Sequence, residues 1–293
     1  TLPIYDKKQA HELEKKMKEK GIEYTERKNT QKKKETKSPC TYVCSDIHSE
    51  YAVYESMMKH IKDKDKLYIL GDVIDRGPDG IKILQDIIER QEKGQVEFFV
   101  GNHEYMMIQS LFLNNQAEKE NWENNNNGII TEKAYYALPI EQQEKIKQFL
   151  LNSLVYKELN LNGEKIYLVH AKAVNDSKKI QETVLDMINT GREQELQDAV
   201  WARESARKSS KSGEVWKAKD IPKEGTFTII GHTPTYKRES NGINYDNHGV
   251  LYIDCGASYG EKEALIRLED GNVLYFDTET ERAKMKEKEA AKI

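Results

Sequence analysis

The chain has 293 residues, of which 37% are hydrophobic and 33% are charged, and its formal net charge is −4 at pH 7. No run of residues approaches the roughly 18–20 apolar residues of a membrane span, and no apolar signal segment opens the chain. We therefore expect a cytoplasmic protein and exclude a membrane protein. Three cysteines (Cys40, Cys44 and Cys255) are an odd and sparse set, which predicts small buried thiols in a reducing compartment.

The first 38 residues differ from the rest of the chain in charge. They carry 12 Lys or Arg and 7 Asp or Glu, a net of +5, whereas the remainder has a net of −9. Residues 9–20 predict a helix, residues 22–25 a short strand, and residues 28–37 a basic linker. Because acidic residues are interleaved with the basic ones, we expect a solvated extension; contact with nucleic acid or another acidic partner is the alternative.

Five short runs of apolar, β-branched and aromatic residues predict buried strands. They cover residues 42–44, 66–70, 96–100, 165–169 and 226–230. A polar motif directly follows each run: DIH at 46–48, GDVIDRG at 71–77, GNHE at 101–104, the single residue His170, and GHTP at 231–234. In an open α/β sheet the strand ends converge on one edge, so the five motifs can place their side chains around one point.

These motifs supply a set of oxygen and imidazole donors without a thiolate. Such a set suits Mn²⁺, iron or zinc in a hydrolytic site better than it suits structural zinc. Six ligands are more than one open catalytic metal takes, and they fit two metals about 3.5–4 Å apart that share a carboxylate. A lone histidine such as His170 is more often a core residue, but GDVIDRG is specific and the ordered combination favours metal binding. The six candidates are Asp46, His48, Asp72, Asn102, His170 and His232.

The order of the motifs resembles that of the calcineurin-like metallophosphoesterases, and within them the phosphoprotein phosphatases of the bacteriophage-lambda and bacterial type. The sequences GNHEYMMI at 101–108, VWARE at 200–204 and LYIDCGA at 251–257 add to the likeness, which covers about residues 39–276. Ser45 and Ser49 depart from it, because they stand where the first motif usually has glycine. The departure concerns the local backbone and leaves the ligand set intact.

The resemblance implies an α/β (α+β) fold: a central β-sandwich flanked by helices, with a dinuclear metal site at the strand ends. One metal would be held by Asp46, His48 and Asp72, and the other by Asp72, Asn102, His170 and His232. We expect Mn²⁺, with iron and zinc as alternatives. A water shared by the metals would attack phosphorus in line. Arg76 and Arg203 would hold the phosphoryl oxygens, and His103, oriented by Asp75, would protonate the leaving group.

Without the resemblance, Asp75 is interpreted as a carboxylate stabilised by a helix N-terminus. Arg203 is then interpreted as a solvated charge on a helix. The expected activity is hydrolysis of phosphomonoesters, as in a protein serine/threonine phosphatase acting on phosphoproteins or small phosphoesters. The alternatives are a symmetrical diadenosine-tetraphosphate hydrolase, a nucleotide or cyclic phosphodiesterase, and a non-catalytic binding module. Intact ligands, His103 and both arginines argue against the binding module.

The remaining segments predict the domain layout. Residues 39–278 form the catalytic domain, between the extension at 1–38 and a charged C-terminal helix at 279–293. Residues 124–128 (NNNNG) predict a turn between helices, and residues 140–151 an amphipathic helix. Residues 171–222 are polar and helical in bias, and we expect them to form a cap beside the metals that carries Arg203.

Overall fold

Two β-sheets form the centre of the structure, a computed structural model that describes residues 38–161, 163–174, 179–203, 227–236, 242–246 and 249–291. The first sheet has five strands in the order β11-β10-β1-β2-β3. Its three parallel strands are neighbours, and β10 and β11 extend it in antiparallel fashion. The strands are β1 (Thr41–Cys44), β2 (Lys66–Ile69), β3 (Val96–Phe98), β10 (Lys262–Arg267) and β11 (Asn272–Asp277).

The second sheet has six strands in the order β6-β4-β5-β7-β9-β8. Strands β5, β7 and β9 run parallel, and the outer pairs are antiparallel. A parallel bridge between Phe99 and Leu154 joins the two sheets just beyond β3. The strands are β4 (Leu154–Leu161), β5 (Glu164–Val169), β6 (Gln181–Thr183), β7 (Phe227–Ile230), β8 (Asn244–Tyr245) and β9 (Val250–Tyr252).

The sheets pack face to face because alternate side chains of each strand point to opposite faces. In β2, Tyr68 belongs to the apolar cluster between the sheets, whereas Leu67 and Ile69 belong to a second cluster on the other face. In β5, Ile166 and Leu168 face the first cluster in the same way. Both faces of the strands are therefore buried, which explains why they are almost continuously apolar.

Helices cover the outer faces of the sandwich. The helix Gly80–Glu92, for example, buries Ile83, Leu84 and Ile87 at helical spacing. The π-helix Ile108–Phe112 continues the α-helix Asn102–Met107, and a short 3₁₀-helix spans Ala257–Tyr259. The α-helices in the described residues are α1 (Tyr51–Met58), α2 (Gly80–Glu92), α3 (Asn102–Met107), α4 (Gln116–Asn125), α5 (Gly128–Tyr136), α6 (Ile140–Leu151), α7 (Val184–Asn189), α8 (Glu193–Trp201) and α9 (Thr278–Ala290).

The predicted fold class, a mixed α/β sandwich flanked by helices, is confirmed. All five predicted strands form within one or two residues of their expected bounds, and the helix at 140–151 has the expected bounds. The turn predicted at 124–128 is shorter than expected, because α4 continues to Asn125 and α5 already begins at Gly128. Strand β6 was not expected; it forms because Gln181–Thr183 pair with the edge strand β4.

Several predictions concern residues outside the described part of the chain. These are the elements within residues 1–37 and the parts of the predicted cap at residues 175–178 and 204–222. The domain boundaries near residues 38 and 278 stay predictions. Across the described ranges, no helix combines the length and the apolar character needed to cross a bilayer. Cys44 and Cys255 are buried, and Cys40 is half-buried.

Candidate metal centre

Loops at the carboxyl ends of β1, β2, β3, β5 and β7 meet at one edge of the sandwich, as the strand-end pattern predicts. Strands from both sheets contribute, so the site lies across the seam between them. Each side chain brought together here is at most 6% exposed. The group comprises Asp46, His48, Asp72, Asn102, His103, His170 and His232.

Backbone strain is concentrated at these loops. In the part of the chain that the structure describes, nine non-glycine residues have a positive φ, and all but Asn114 and Asn127 belong to the motifs. Each such conformation costs about 1–3 kcal/mol and persists only where surrounding contacts hold it. Strain of this kind is typical of functional loops. The motif residues concerned, with φ between 43° and 65°, are Asp46, His48, Ser49, Asp72, Asp75, Arg76 and His232.

Two glycines allow the second and third motifs to touch. A Cβ on Gly71, whose φ is +83°, would lie 2.3 Å from the backbone nitrogen of Gly101. A Cβ on Gly101 would lie 2.2 Å from Oδ1 of Asp72. Glu104 fixes the same contact, because its carboxylate accepts the backbone N–H groups of Asp72, Val73 and Gly101 at 2.8–3.0 Å. The sequence marked Glu104 only as part of GNHE, without a role for it.

The first half of the site contains His48, Asp46 and Asp72. Nδ1 of His48 donates to the carbonyl of Ile74 at 3.0 Å, so the lone pair of Nε2 is free to face the carboxylates. Nε2 lies 3.5 Å from Oδ2 of Asp72 and 4.0 Å from Oδ1 of Asp46. Burial lowers the pKa of His48 well below its usual range, and the neighbouring positive charges of His103 and Arg76 lower it further. His48 is therefore neutral and can bind a cation.

The second half of the site brings three hydrogen-bond acceptors together. Nδ1 of His170 donates to the carbonyl of Leu70 at 2.5 Å, and Nε2 of His232 donates to the carbonyl of Trp201 at 3.1 Å. The remaining ring nitrogens of both histidines are therefore acceptors. They lie 3.1 Å and 2.8 Å from Oδ1 of Asn102, which is an acceptor as well.

Three converging acceptors without a proton between them fit a cation. Burial lowers the pKa of His232, the nearby His170 and Arg203 lower it further, and the pKa lies at about 2. His232 therefore stays unprotonated at neutral pH and cannot satisfy Asn102 by donating to it. The donor set, two imidazoles and an amide oxygen beside a carboxylate, suits Mn²⁺, iron or zinc.

Asp72 lies between the two halves. Its Oδ2 is 3.5 Å from Nε2 of His48 and also 3.5 Å from Nε2 of His170. Burial raises the pKa of Asp72 well above its usual range, and the negative charges of Asp46 and Glu104 add to this although His103 opposes it. An uncompensated carboxylate here is costly, and a cation on either side of Asp72 would offset that cost.

His103 and Asp75 form a buried hydrogen-bonded pair. Nδ1 of His103 lies 2.6 Å from Oδ2 of Asp75. Burial by itself lowers the pKa of His103, but the negative charges of Asp72 and Asp75 outweigh it, and the pKa lies above its ordinary value. The raised pKa favours the protonated form of His103, and its role as a proton donor stays a prediction. Ligand-type atoms of His103, His48 and Asp72 also lie within 4.8 Å of one another. A metal-ligand role is nevertheless disfavoured, because Nε2 is 3.4 Å from the Arg76 guanidinium.

Two residues that the sequence did not single out hold Asp75. Nε1 of Trp122 donates to Oδ2 of Asp75 at 2.7 Å, and Oγ1 of Thr131 donates to Oδ1 at 2.5 Å. Gly128 makes room for the indole ring, since a Cβ there would lie 2.4 Å from it. The carboxylate of Asp75, with no exposed surface, thus accepts three side-chain hydrogen bonds. Trp122, Gly128 and Thr131 are visible in the sequence around NNNNG. Their distance from Asp75 along the chain matches no known motif, so the sequence did not connect them to it.

The two predicted arginines differ in their surroundings. Nη1 of Arg76 donates to Oγ of Ser258 at 2.9 Å, and its guanidinium lies 5.1 Å from the ring centre of Tyr259. Arg76 is thus held beside His103 at the mouth of the site. Arg203 is exposed, and its charge contributes to the lowered pKa of His232. Arg203 therefore lies on the side of the second half-site, and its phosphate-binding role stays a prediction.

Two further carboxyl groups lie behind the site. Burial, followed by the negative charge of Asp46, raises the pKa of both Asp254 and Glu263 well above their usual ranges. Asp254 accepts the backbone N–H of Gly256 at 3.0 Å, whereas Oε2 of Glu263 has no hydrogen-bond partner. Neither was predicted as a site residue: Asp254 was noted only as part of LYIDCGA, and Glu263 lies in a strand with no motif around it.

Comparison with known proteins gives a consistent family. A family model described as calcineurin-like phosphoesterase matches residues 41–275. A Bacillus cereus (strain ATCC 10987 / NRS 248) protein named bis(5'-nucleosyl)-tetraphosphatase PrpE [asymmetrical] is 24% identical over 242 residues, which cover 75% of this chain and 87% of that protein. A Buchnera aphidicola subsp. Schizaphis graminum protein named bis(5'-nucleosyl)-tetraphosphatase, symmetrical, is 30% identical over 84 residues, 28% of this chain and 30% of its own length.

A solved structure of a candidate diadenosine tetraphosphatase superimposes with a TM-score of 0.50 and 13% identity, covering 82% of this chain and 94% of that chain. At this identity the superposition shows the fold alone. The fold, the strand-end motifs and the matched family model agree with one another.

Proposed function

This chain belongs to the calcineurin-like phosphoesterase family and is a hydrolase of the metallophosphoesterase type, and we propose that it hydrolyses dinucleoside polyphosphates at a dinuclear metal centre. The phosphate chemistry rests on one observation, the convergence of histidine ring nitrogens and the Asn102 amide oxygen on either side of Asp72. The sequence led us to expect a protein serine/threonine phosphatase first. The names of relatives that span most of the chain support the dinucleoside-polyphosphate alternative better.

The proposed ligands come from both sheets, and Asn102 and Asp72 of the first sheet face the two histidines of the second. Asp46 and His48 would hold one cation and His170, His232 and Asn102 the other, with Asp72 shared. When bound, two such cations would supply Lewis-acid activation of the attacking water and of the phosphoryl oxygens. We expect Mn²⁺, with iron and zinc as the alternatives.

The remaining residues would bind the phosphate and move a proton. Arg76 is exposed at the mouth of the site and presents a planar fork that can bind two phosphoryl oxygens; Arg203 would do the same from the other side. His103, held by Asp75 at 2.6 Å, would donate its proton to the oxygen of the leaving nucleotide. General acid catalysis of this kind contributes about 10²–10⁴-fold in rate.

An aromatic side chain beside Arg76 supports a nucleotide substrate. Tyr259 is 51% exposed, its ring lies against the Arg76 guanidinium at 5.1 Å, and it stacks on Tyr236 at a ring separation of 4.9 Å. Exposed aromatic rings next to cationic groups are typical of surfaces that bind bases and phosphates together. A base attached to the bound phosphate would therefore meet an aromatic surface.

The raised pKa of His103 favours a second candidate, a protein serine/threonine phosphatase. A serine alkoxide is a poor leaving group that needs a proton in the transition state, and His103 with Asp75 can supply it. The substrate would then be a phosphoprotein, and Tyr259 would contact peptide instead of a base.

One assay separates the two candidates. Full-length protein with Mn²⁺ is given diadenosine tetraphosphate, a phosphoserine peptide, p-nitrophenyl phosphate and a 2',3'-cyclic nucleotide, with Asp72→Asn as the inactive reference. We expect the highest kcat/KM for diadenosine tetraphosphate. The products also report the cleavage site: ATP with AMP for asymmetrical cleavage, which we expect, or two molecules of ADP for symmetrical cleavage. A higher kcat/KM for the phosphopeptide would replace this proposal with the second candidate.

A further inference from the structure

The hydroxyl of Ser45 contacts the proposed metal ligand Asp46 directly. Ser45 has no exposed surface. Its Oγ–H donates to Oδ2 of Asp46 at 2.6 Å, and the carbonyl of Leu70, 3.2 Å away, is a second and more distant acceptor. The same Oδ2 accepts the backbone N–H of His232 at 3.0 Å. A carboxylate oxygen has about two lone-pair directions, so two protein donors engage this oxygen. The O–H···O distance is in the range of charge-assisted bonds to an ionised carboxylate.

The other oxygen of Asp46 faces the first half of the site. Oδ1 lies 4.0 Å from Nε2 of His48, and the lone pair of that nitrogen is free because Nδ1 donates to the Ile74 carbonyl. The two carboxylate oxygens thus have different surroundings. One is held by protein donors, and the other points to the place proposed for a cation.

The surrounding backbone is shaped to admit this hydroxyl. A Cβ on Gly231 would lie 2.0 Å from Oγ of Ser45 and 2.2 Å from Oδ2 of Asp46. Asp46 itself has a φ of 55°, a left-handed conformation that must be held by neighbouring contacts. The bond from Ser45 to the Asp46 side chain is one such contact. Glycine, the usual residue at this place in the motif that the chain resembles, has no hydroxyl with which to make it.

We infer that Ser45 is a positioning residue for the metal centre: it orients the Asp46 carboxylate so that Oδ1 binds the first cation. This inference rests on the dinuclear site of the proposed function. Hydrogen-bond partners of metal ligands fix ligand orientation, and their loss typically weakens metal binding about 10–100-fold. Ser45 acts through Asp46 and need not touch substrate.

The test is a calorimetric titration of metal-free, full-length protein with Mn²⁺. Wild type is compared with Ser45→Ala and with Ser45→Gly, which serves if the alanine variant does not fold. The matched control is Ser49→Ala: Ser49 is also a buried serine of the first motif, but its hydroxyl donates to the backbone carbonyl of Asp75 at 3.0 Å and not to a carboxylate. We expect both Ser45 variants to bind one of the two Mn²⁺ ions about 10–100-fold more weakly, with the control close to wild type.

The outcomes separate this inference from the proposed function. Wild type that binds fewer than two Mn²⁺ ions would remove the dinuclear site, and the role of Ser45 with it. Wild type that binds two ions, together with Ser45 variants that bind them equally tightly, would overturn only the role of Ser45. Equal weakening in Ser49→Ala would also overturn it, because the effect would then follow from losing any buried hydroxyl in this loop.

Discussion

Replacing Thr131 by valine is the sharpest test of how the His103–Asp75 pair is held. Valine keeps the shape of threonine but lacks the hydroxyl, which donates to Oδ1 of Asp75 at 2.5 Å and accepts the backbone N–H of Asp75 at 3.1 Å. A hydrogen bond to a charged group contributes about 1.5–3 kcal/mol, and a buried N–H without a partner costs about 1–3 kcal/mol. Since Thr131 is only 3% exposed, water cannot replace these bonds. We expect Thr131→Val to lower the free energy of unfolding by about 3 kcal/mol.

The matched control is Thr131→Ser, which keeps the hydroxyl and loses one buried methyl group, a change of about 0.8 kcal/mol. Urea denaturation of both variants, with an unchanged m-value, measures the difference. Activity adds an independent measurement, because a loosened Asp75 no longer orients His103. We expect the valine variant to lose about tenfold more kcat/KM on phenyl phosphate than on p-nitrophenyl phosphate, whose leaving group needs less protonation.

Equal stability of the valine and serine variants would refute the reasoning, because the hydroxyl would then contribute nothing to the fold. A large loss of stability with equal activity losses on both aryl phosphates would retain the structural role of Thr131 and refute its link to proton donation.

Four other predictions follow from the same site and its surroundings. Asp72→Asn should abolish turnover and reduce bound metal measured by elemental analysis, because Asp72 faces both halves of the site; near-normal activity with two metals bound would contradict the dinuclear centre. His103→Asn should retain both metals but lose more activity on phosphoserine than on aryl phosphates, and equal losses would rule out a general acid. Glu263 has a raised pKa in the folded, metal-free protein. The free energy of unfolding should therefore fall as the pH rises above about 4.3, the ordinary pKa of glutamate, because the unfolded chain then loses this proton more readily than the folded protein does. Glu263→Gln should make the free energy of unfolding, measured by urea denaturation at several pH values, fall less steeply with pH. The same pH dependence in wild type and variant would contradict this prediction. Deletion of residues 1–38 should leave kcat/KM on p-nitrophenyl phosphate unchanged and remove only weak, salt-sensitive nucleic-acid binding; tight binding at physiological salt that disappears on deletion would show the extension to be a nucleic-acid contact.

The sequence predicted the strands and the convergence of the motifs because both are local signals. A buried strand is visible as a short apolar run, and the topology of parallel strands brings their ends together. Asp46, His48 and His170 therefore lie at the expected edge. The assignment of these side chains as ligands stays a prediction, supported by their tautomers and their separations.

The supporting contacts could not be predicted, since they depend on tertiary geometry. Trp122 and Thr131 lie 47 and 56 residues from Asp75 in sequence, and neither is at a diagnostic spacing. Ser45 was noted only as a departure from glycine. The contact of its hydroxyl with the Asp46 carboxylate belongs to the folded loop, in which Asp46 has a left-handed conformation. Strand β6 was missed because three polar residues form a strand only by pairing with β4.

The division of the site between two sheets has a mechanical consequence. Asp46, Asp72 and Asn102 follow strands of one sheet, and His170 and His232 follow strands of the other. The position of the two histidines relative to Asp72 and Asn102 therefore depends on how closely the sheets pack. Near the site, the Phe99–Leu154 bridge joins the two sheets, and the apolar side chains between the sheets set their separation. An apolar side chain between the sheets can therefore alter the spacing of the proposed ligands, and cations bound by these ligands would hold the two sheets together at this edge.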